Sequence, residues 1–256
     1  MTASNNSLDP WHSYLANGGN QIAFPYGIIM YIAYLPLTKL GWALDQLIKS
    51  TWLSSLGFGI TTLIFDYSLL IAIAVLARKY SIKLLLAAYW WCPVVIYILY
   101  YHGQLDVLPI CLLLYGLCYL QTNRPRVAGV LLGLATSAKL SMVTALPFFC
   151  IFLIRNRRLH DDLRSLLGAY LLSGAVSILP FLGSDSYSQM VLLTPVSDRI
   201  YALHLNYGEG LSFFLLPGVY IVTLYLVWRL ERVTIDLFVI SVGIGFFALL
   251  LFLPPA

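Results

Sequence analysis

An all-α, polytopic transmembrane helical bundle is the fold class this sequence predicts, and three observations predict it. Of the 256 residues 60% are hydrophobic and only 10% charged, and the mean hydropathy of +0.84 lies well above that of a soluble globular domain. Apolar runs near the roughly 20 residues that a helix needs to cross a bilayer core recur along the chain. Alternating segments of about ten residues, the mark of a membrane barrel, do not recur.

The apolar runs cover 24–44, 57–77, 84–101, 105–120, 127–154, 166–182, 211–228 and 235–253. With breaks inside some of them they predict about seven to nine membrane segments in a single integral membrane domain spanning 1–256. Residues 1–23 are expected to form an outer N-terminal loop and 183–210 the longest outer loop.

Basic residues cluster in RKYSIK (78–83), TNRPR (122–126), RNRRLHDDLR (155–164) and RLER (229–232), and the positive-inside rule assigns all four to the cytoplasm. Run 84–101 then goes outward and run 105–120 returns, which places YHGQLD on the outer face as a tight hairpin tip. Both flanks of 127–154 carry cytoplasmic charge, so this stretch is expected to be a re-entrant hairpin with Lys139 at its apex, broken near TSAKLS and ALP. An outer N-terminus and a cytoplasmic RKYSIK require an odd number of crossings, whereas two candidate segments lie between them. Residues 24–36 are short, and 40–53 follow Lys39 and mix Asp45 and Lys49 with Trp42 and Trp52, so a hairpin or an interfacial helix is expected there.

Fifteen Lys and Arg against eleven Asp and Glu give +4, which in a chain of this kind reports cytoplasmic loops and not a nucleic-acid surface. Cys92, Cys111, Cys118 and Cys150 sit in apolar runs without a CxxC and read as small buried hydrophobes, so neither disulfides nor a metal site is indicated. The N-terminal stretch lacks the basic and apolar regions of a signal peptide.

Charged residues at membrane depth cost at least a few kcal/mol, so each should have a partner or a task. Asp106 opens a span at the outer interface, where an acid is also favoured by the helix dipole; His102 and Gln104 one turn earlier make a binding corner the alternative. Lys139 lies mid-way along a 28-residue apolar stretch, where it either snorkels or holds an anionic lipid phosphate. Asp66 in LIFDYSLL reads as a helix–helix polar contact. Asp9 and His12 precede the first apolar run, Asp9 being a turn residue before Pro10 or a carboxylate at the mouth of a membrane cleft. In the late loop, Asp185, Asp198, Arg199, His204 and Glu209 suit carbohydrate or an ordinary extracellular loop equally.

Four stretches carry a family likeness: LDPW leading to FPYGIIMY, a P…GQxD turn from Pro93 to Asp106, GLxxxxKLxxxxxLP from Gly133 to Pro147, and a late LPP. In this order they resemble the GT-C class of multi-spanning glycosyltransferases. The resemblance implies a GT-C-like fold in the plasma, inner or endoplasmic reticulum membrane with its active site on the outer or lumenal side. It also implies inverting transfer of a hexose, in the manner of a mannosyltransferase, from a polyprenyl-phosphate-linked donor to a lipid, glycan or protein acceptor. Asp9 and Asp106 would then be the catalytic carboxylates, and His12, His102, Gln104, Lys139 and Arg199 would bind substrate. A divalent cation assists some members of the class, but no ligand set here points to one. Members usually carry a spanning helix before the acid-bearing loop and further spans after the last one here, so the chain is expected to be incomplete at one or both ends. The rival readings are a flippase or transporter for a lipid-linked sugar and a non-catalytic membrane subunit.

Overall fold

The computed structural model describes residues 9–156, 160–195, 200–208, 212–231 and 233–251. Helix makes up 77% of the structure, and β-structure among the described residues is an antiparallel pair, His204–Asn206 (β1) with Ser212–Phe214 (β2). The chain is an all-α helical membrane bundle.

A short helix α1, Pro10–Ala16, begins with Pro at its first position and is capped by Asp9, whose Oδ1 accepts the His12 backbone N–H at 2.9 Å. Helix α2 then runs unbroken over Ile28–Ile48 and turns directly into α3, Leu53–Leu76. No break separates 24–36 from 40–53, since α2 is continuous through them; the expected hairpin forms instead between α2 and α3, with Gly41 against Leu53 and Gly57 against Leu37. Pro36 sits on the exposed side of α2, where its ring is accommodated, and the Thr38 hydroxyl donates to the neighbouring Tyr34 carbonyl at 2.7 Å. Asp45, which suggested an interfacial helix, is buried because it caps α3. Its two oxygens accept the backbone N–H groups of Leu53 and Ser54 at 3.0 and 2.9 Å.

Run 84–101 is one bent pair. α4, Ile82–Leu85, continues in a π-helical turn to Trp90, and α5, Pro93–Ile96, in another to Tyr101, with 48° between the halves. Pro93 cannot donate into the preceding turn, and Cys92 before it is extended, so the bend falls between them. Then come α6, Val107–Gln121, and α7, Pro125–Ala138. Lys139 is extended (φ −146°, ψ 117°), which ends α7; a 3₁₀ segment Leu140–Ala145 leads into α8, Leu146–Arg155. Stretch 127–154 is therefore broken at Lys139. It also folds back, because Pro125 and Ile154 line the same cavity and the ring of Phe149 packs beside Gly116, next to the Ala128 carbonyl. The remaining helices are α9, His160–Ile178; α10, Asp185–Tyr187; α11, Leu215–Arg229; and α12, Ile235–Leu251.

Among the described residues, Leu53–Leu76 and Asp161–Phe181 are long and apolar enough to cross a membrane alone, and the bent pair is a third candidate. Five further apolar helices have 10–17 residues, and α2, at 21 residues, is long enough but not among the candidates. The sequence suggests more spans because proline and Lys139 split its apolar runs into helices shorter than a bilayer core requires. The core forms where α6, α7 and α8 meet α9 and α12, around Leu117, Leu132, Phe149, Leu166 and Phe238. α7 lies unusually close to α9: Gly129 and Gly133 face Leu166, Tyr170 and Ser173 with no room for a β-carbon.

The two ends of this bundle differ in chemistry. Lys79 pairs with Asp236 at 2.8 Å, and a cavity of about 910 Å³ beside Ile235 is lined by Asn123, Pro125, Arg155, Asn156, Asp162 and Glu231, so the described parts of all four basic segments gather at one end. The YHGQLD tip, the α7 break at Lys139 and Tyr187 gather at the other.

Candidate functional site

Asp106 stands at the start of α6 because the tip before it turns tightly. Gly103 takes φ +72°, which suits glycine, and the Gln104 N–H donates to the Ile98 carbonyl at 3.0 Å. Leu105 is then buried beside Tyr26, Met30 and Leu108, which fixes the next residue at the bundle end. Lys139 reaches the same point from the break after α7. Its ammonium Nζ lies 2.6 Å from both Asp106 oxygens, and the two side chains are only 28% and 31% exposed. Thirty-three residues apart, the two charges that the sequence singled out as expensive neutralise each other.

Tyr26 completes the group. Its hydroxyl donates to Asp106 Oδ1 at 3.2 Å, and Lys139 Nζ lies 5.5 Å from its ring centroid, within range of a cation–π contact. Burial, and then the adjacent Asp106 carboxylate, push the Tyr26 hydroxyl far above its ordinary pKa, so it stays a donor. The segment carrying it is anchored on both sides. Gly27 N–H donates to the Ala138 carbonyl at 2.9 Å, and Trp11 Nε1 donates to the Tyr26 carbonyl at 3.2 Å. Trp11 is itself held edge-on between Tyr187 and Phe181, with centroids 4.7 and 5.2 Å away. A β-carbon at Gly27 would collide with the Ser137 carbonyl. Gly27→Ala is therefore expected to destabilise the protein by about 1–3 kcal/mol and to shift Tyr26 off Asp106. A lowered thermal midpoint together with reduced transfer is the result to look for; parent-like values for both would mean that the loop does not hold the pair.

The other sequence-selected residues are placed less centrally. His102 is exposed and parallel to the Tyr97 ring at 6.5 Å, and Gln104 is half-buried. Among the described residues neither side chain hydrogen-bonds to the Asp106–Lys139 pair. Asp9 caps α1, and His12 on that helix is exposed. Arg199 lies outside the described residues, as do Asp198, Glu209 and the late LPP. Asp66 is only 3% exposed and accepts the hydroxyls of Tyr89 and Tyr100, each at 2.6 Å, so it is indeed a contact between helices. Among the described residues no group of three or more His, Cys, Asp or Glu side chains gathers in a way that could hold a metal ion.

Tyr26, Gly27 and Trp11 escape a search for charged residues, because none is ionic and all three are buried. The available signal is the Pro25-Tyr26-Gly27 sequence, a rigid residue and a flexible one around an aromatic at the point where polar loop becomes apolar run.

A lysine and a carboxylate facing each other in a half-buried recess of an apolar bundle can hold an anionic group and accept a proton from a hydroxyl. No curated protein and no solved structure matches the chain. The sequence model of glycosyltransferase family 87, a GT-C type membrane family, matches residues 24–255. With that match over nearly its whole length, the chain belongs to glycosyltransferase family 87.

Proposed function

We propose that this membrane glycosyltransferase moves a hexose from a polyprenyl-phosphate-linked donor to a lipid, glycan or protein acceptor, and that it does so on the outer or lumenal face. The observation that carries this reading is the Lys139–Asp106 pair, closed by Tyr26, at the end of the bundle opposite the basic segments. In the reaction, an acceptor hydroxyl hydrogen-bonds to Asp106 and gives up its proton to that carboxylate. Its oxygen attacks the anomeric carbon as the bond from that carbon to the phosphate oxygen breaks, and the electron pair leaves on the phosphate. Lys139 lies where it would offset this developing charge, and an apolar, half-closed recess strengthens the effect. Asp9 is proposed as the second catalytic carboxylate, and His12, His102, Gln104 and Arg199 as substrate-binding residues.

The reading is tested by reconstituting the protein in liposomes with a radiolabelled polyprenyl-phosphate hexose and a candidate acceptor. Appearance of label in the acceptor supports it. Movement of the intact donor across the bilayer without transfer would make the protein a flippase instead. Orientation has its own test, in a chain whose native cysteines are replaced. A cysteine at Gln104 is expected to react with an impermeant maleimide in intact cells, and one at Asn123 only after permeabilisation. The opposite pattern would place the site in the cytoplasm.

A further inference from the structure

We propose that Asp66 is a positioning residue for Asp106, acting through the bent helix pair; this rests on the reading of Asp106 as the group that faces the acceptor. Asp66 lies inside α3, far from either end of that helix, and is 3% exposed. A carboxylate at such depth needs partners, and a single hydrogen bond would leave one of its two oxygens without any. It takes instead one tyrosine on each oxygen: Tyr89 on Oδ1 and Tyr100 on Oδ2, both at 2.6 Å.

The placement of those tyrosines is what gives the contact a task. Tyr89 lies in the π-helical turn before the 48° bend and Tyr100 in the π-helical turn after it. One carboxylate therefore spans the bend and sets the angle between the halves. π-Helical turns are uncommon and close each hydrogen bond one residue further along than the α-helix, so each rotates its tyrosine relative to the helix that precedes it. The second half leads straight into the tip: Tyr100 is followed by Gly103 at φ +72° and by Asp106. α6, which Asp106 begins, rests on the same stretch of α3 through Leu69 against Val107 and Cys111 and through the Ser68–Tyr115 hydroxyl contact at 3.2 Å. Both arms of the YHGQLD tip are thus referenced to one turn of α3, and Asp66 supplies the polar part of that reference.

A displacement of about 1 Å at a reacting group costs on the order of 100-fold in rate. Asp66→Asn keeps the shape but offers one acceptor oxygen to two hydroxyls, and Tyr100→Phe keeps the ring and removes one hydroxyl. Each is expected to lower kcat roughly 10- to 100-fold, with the KM for a polyprenyl-phosphate hexose within about twofold of the parent. Asp66→Glu restores two acceptor oxygens and is expected to recover part of kcat. The deciding measurement is the coupling to Asp106. In single-turnover assays of the reconstituted protein, Asp66→Asn/Asp106→Asn should be no slower than Asp106→Asn alone, because a positioning residue has nothing left to position. A further full loss in the double variant would show a general structural role and overturn the proposal, as would a parent kcat in both Asp66→Asn and Tyr100→Phe. Parent activity in Asp106→Asn would remove the proposed site itself, and this inference with it. An inactive Asp106→Asn beside an active Asp66→Asn would remove the inference alone.

Discussion

Lys139→Ala is expected to lower transfer at saturating donor by roughly 100- to 1,000-fold, the loss that follows removal of one preorganised charge-stabilising donor from an active site. Two effects combine. The positive charge that faces the leaving phosphate disappears, so the transition state loses stabilisation that the ground state, with its charge spread over the phosphodiester, needs less. Asp106 also loses the partner that contacts both its oxygens and keeps the Tyr26 hydroxyl, in a recess where its side chain is 31% exposed in the parent. A carboxylate held by a single neutral hydroxyl is less firmly oriented toward the acceptor hydroxyl whose proton it takes. Both effects act on turnover, so kcat should fall more than KM rises. Lys139→Arg keeps the charge but not the shape of a point ammonium, and is expected to recover part of the rate. Size-exclusion behaviour and the thermal midpoint serve as controls for folding. A Lys139→Ala protein that transfers hexose at the parent rate would remove the lysine from the mechanism.

The two charges of this site were legible because an aspartate and a lysine in apolar stretches are too costly to be idle. Their contact was not, since nothing in a single sequence reports that a helix start and a helix break 33 residues later meet. The break at Lys139 was readable from charge on both flanks of 127–154 and from Pro147. The continuity of α2 was not, because whether Pro36 stops a helix or merely sits on its outer side depends on which face is packed, and α3 decides that. Asp45 shows the same limit in another form. As a lone acid among tryptophans it resembles a membrane-surface residue, yet the adjoining turn brings two backbone N–H groups onto it. Hydroxyl and ring partners such as Tyr26, Tyr89, Tyr100 and Trp11 are the least visible of all, since tyrosine and tryptophan are equally at home in an interfacial belt, a core or a site.

Asp106→Asn should separate binding from chemistry in a way that Lys139→Ala does not. With the carboxylate gone no base remains at that position, and transfer is expected to fall on the order of 100- to 10,000-fold, the usual contribution of a general base. Binding of the anionic product should change in the opposite direction. In the parent protein the lysine faces a carboxylate at 2.6 Å, so an arriving lipid phosphate meets a site of no net charge and a second anion beside it. Two unit charges about 5 Å apart at an effective dielectric of about 20 repel by about 3 kcal/mol, and partial exposure reduces this to about 1–2 kcal/mol. Removing the aspartate charge relieves that repulsion and releases the ammonium, so polyprenyl phosphate is expected to bind roughly tenfold more tightly to Asp106→Asn and more weakly to Lys139→Ala. Equilibrium binding of a labelled short-chain polyprenyl phosphate to both variants in the same detergent measures it. The parent would then work by exchange: the donor phosphate draws Lys139 away, and the freed carboxylate, still held by Tyr26, becomes able to take the acceptor proton. Weaker phosphate binding in Asp106→Asn would contradict this order of events and make the aspartate a support for the lysine rather than its competitor.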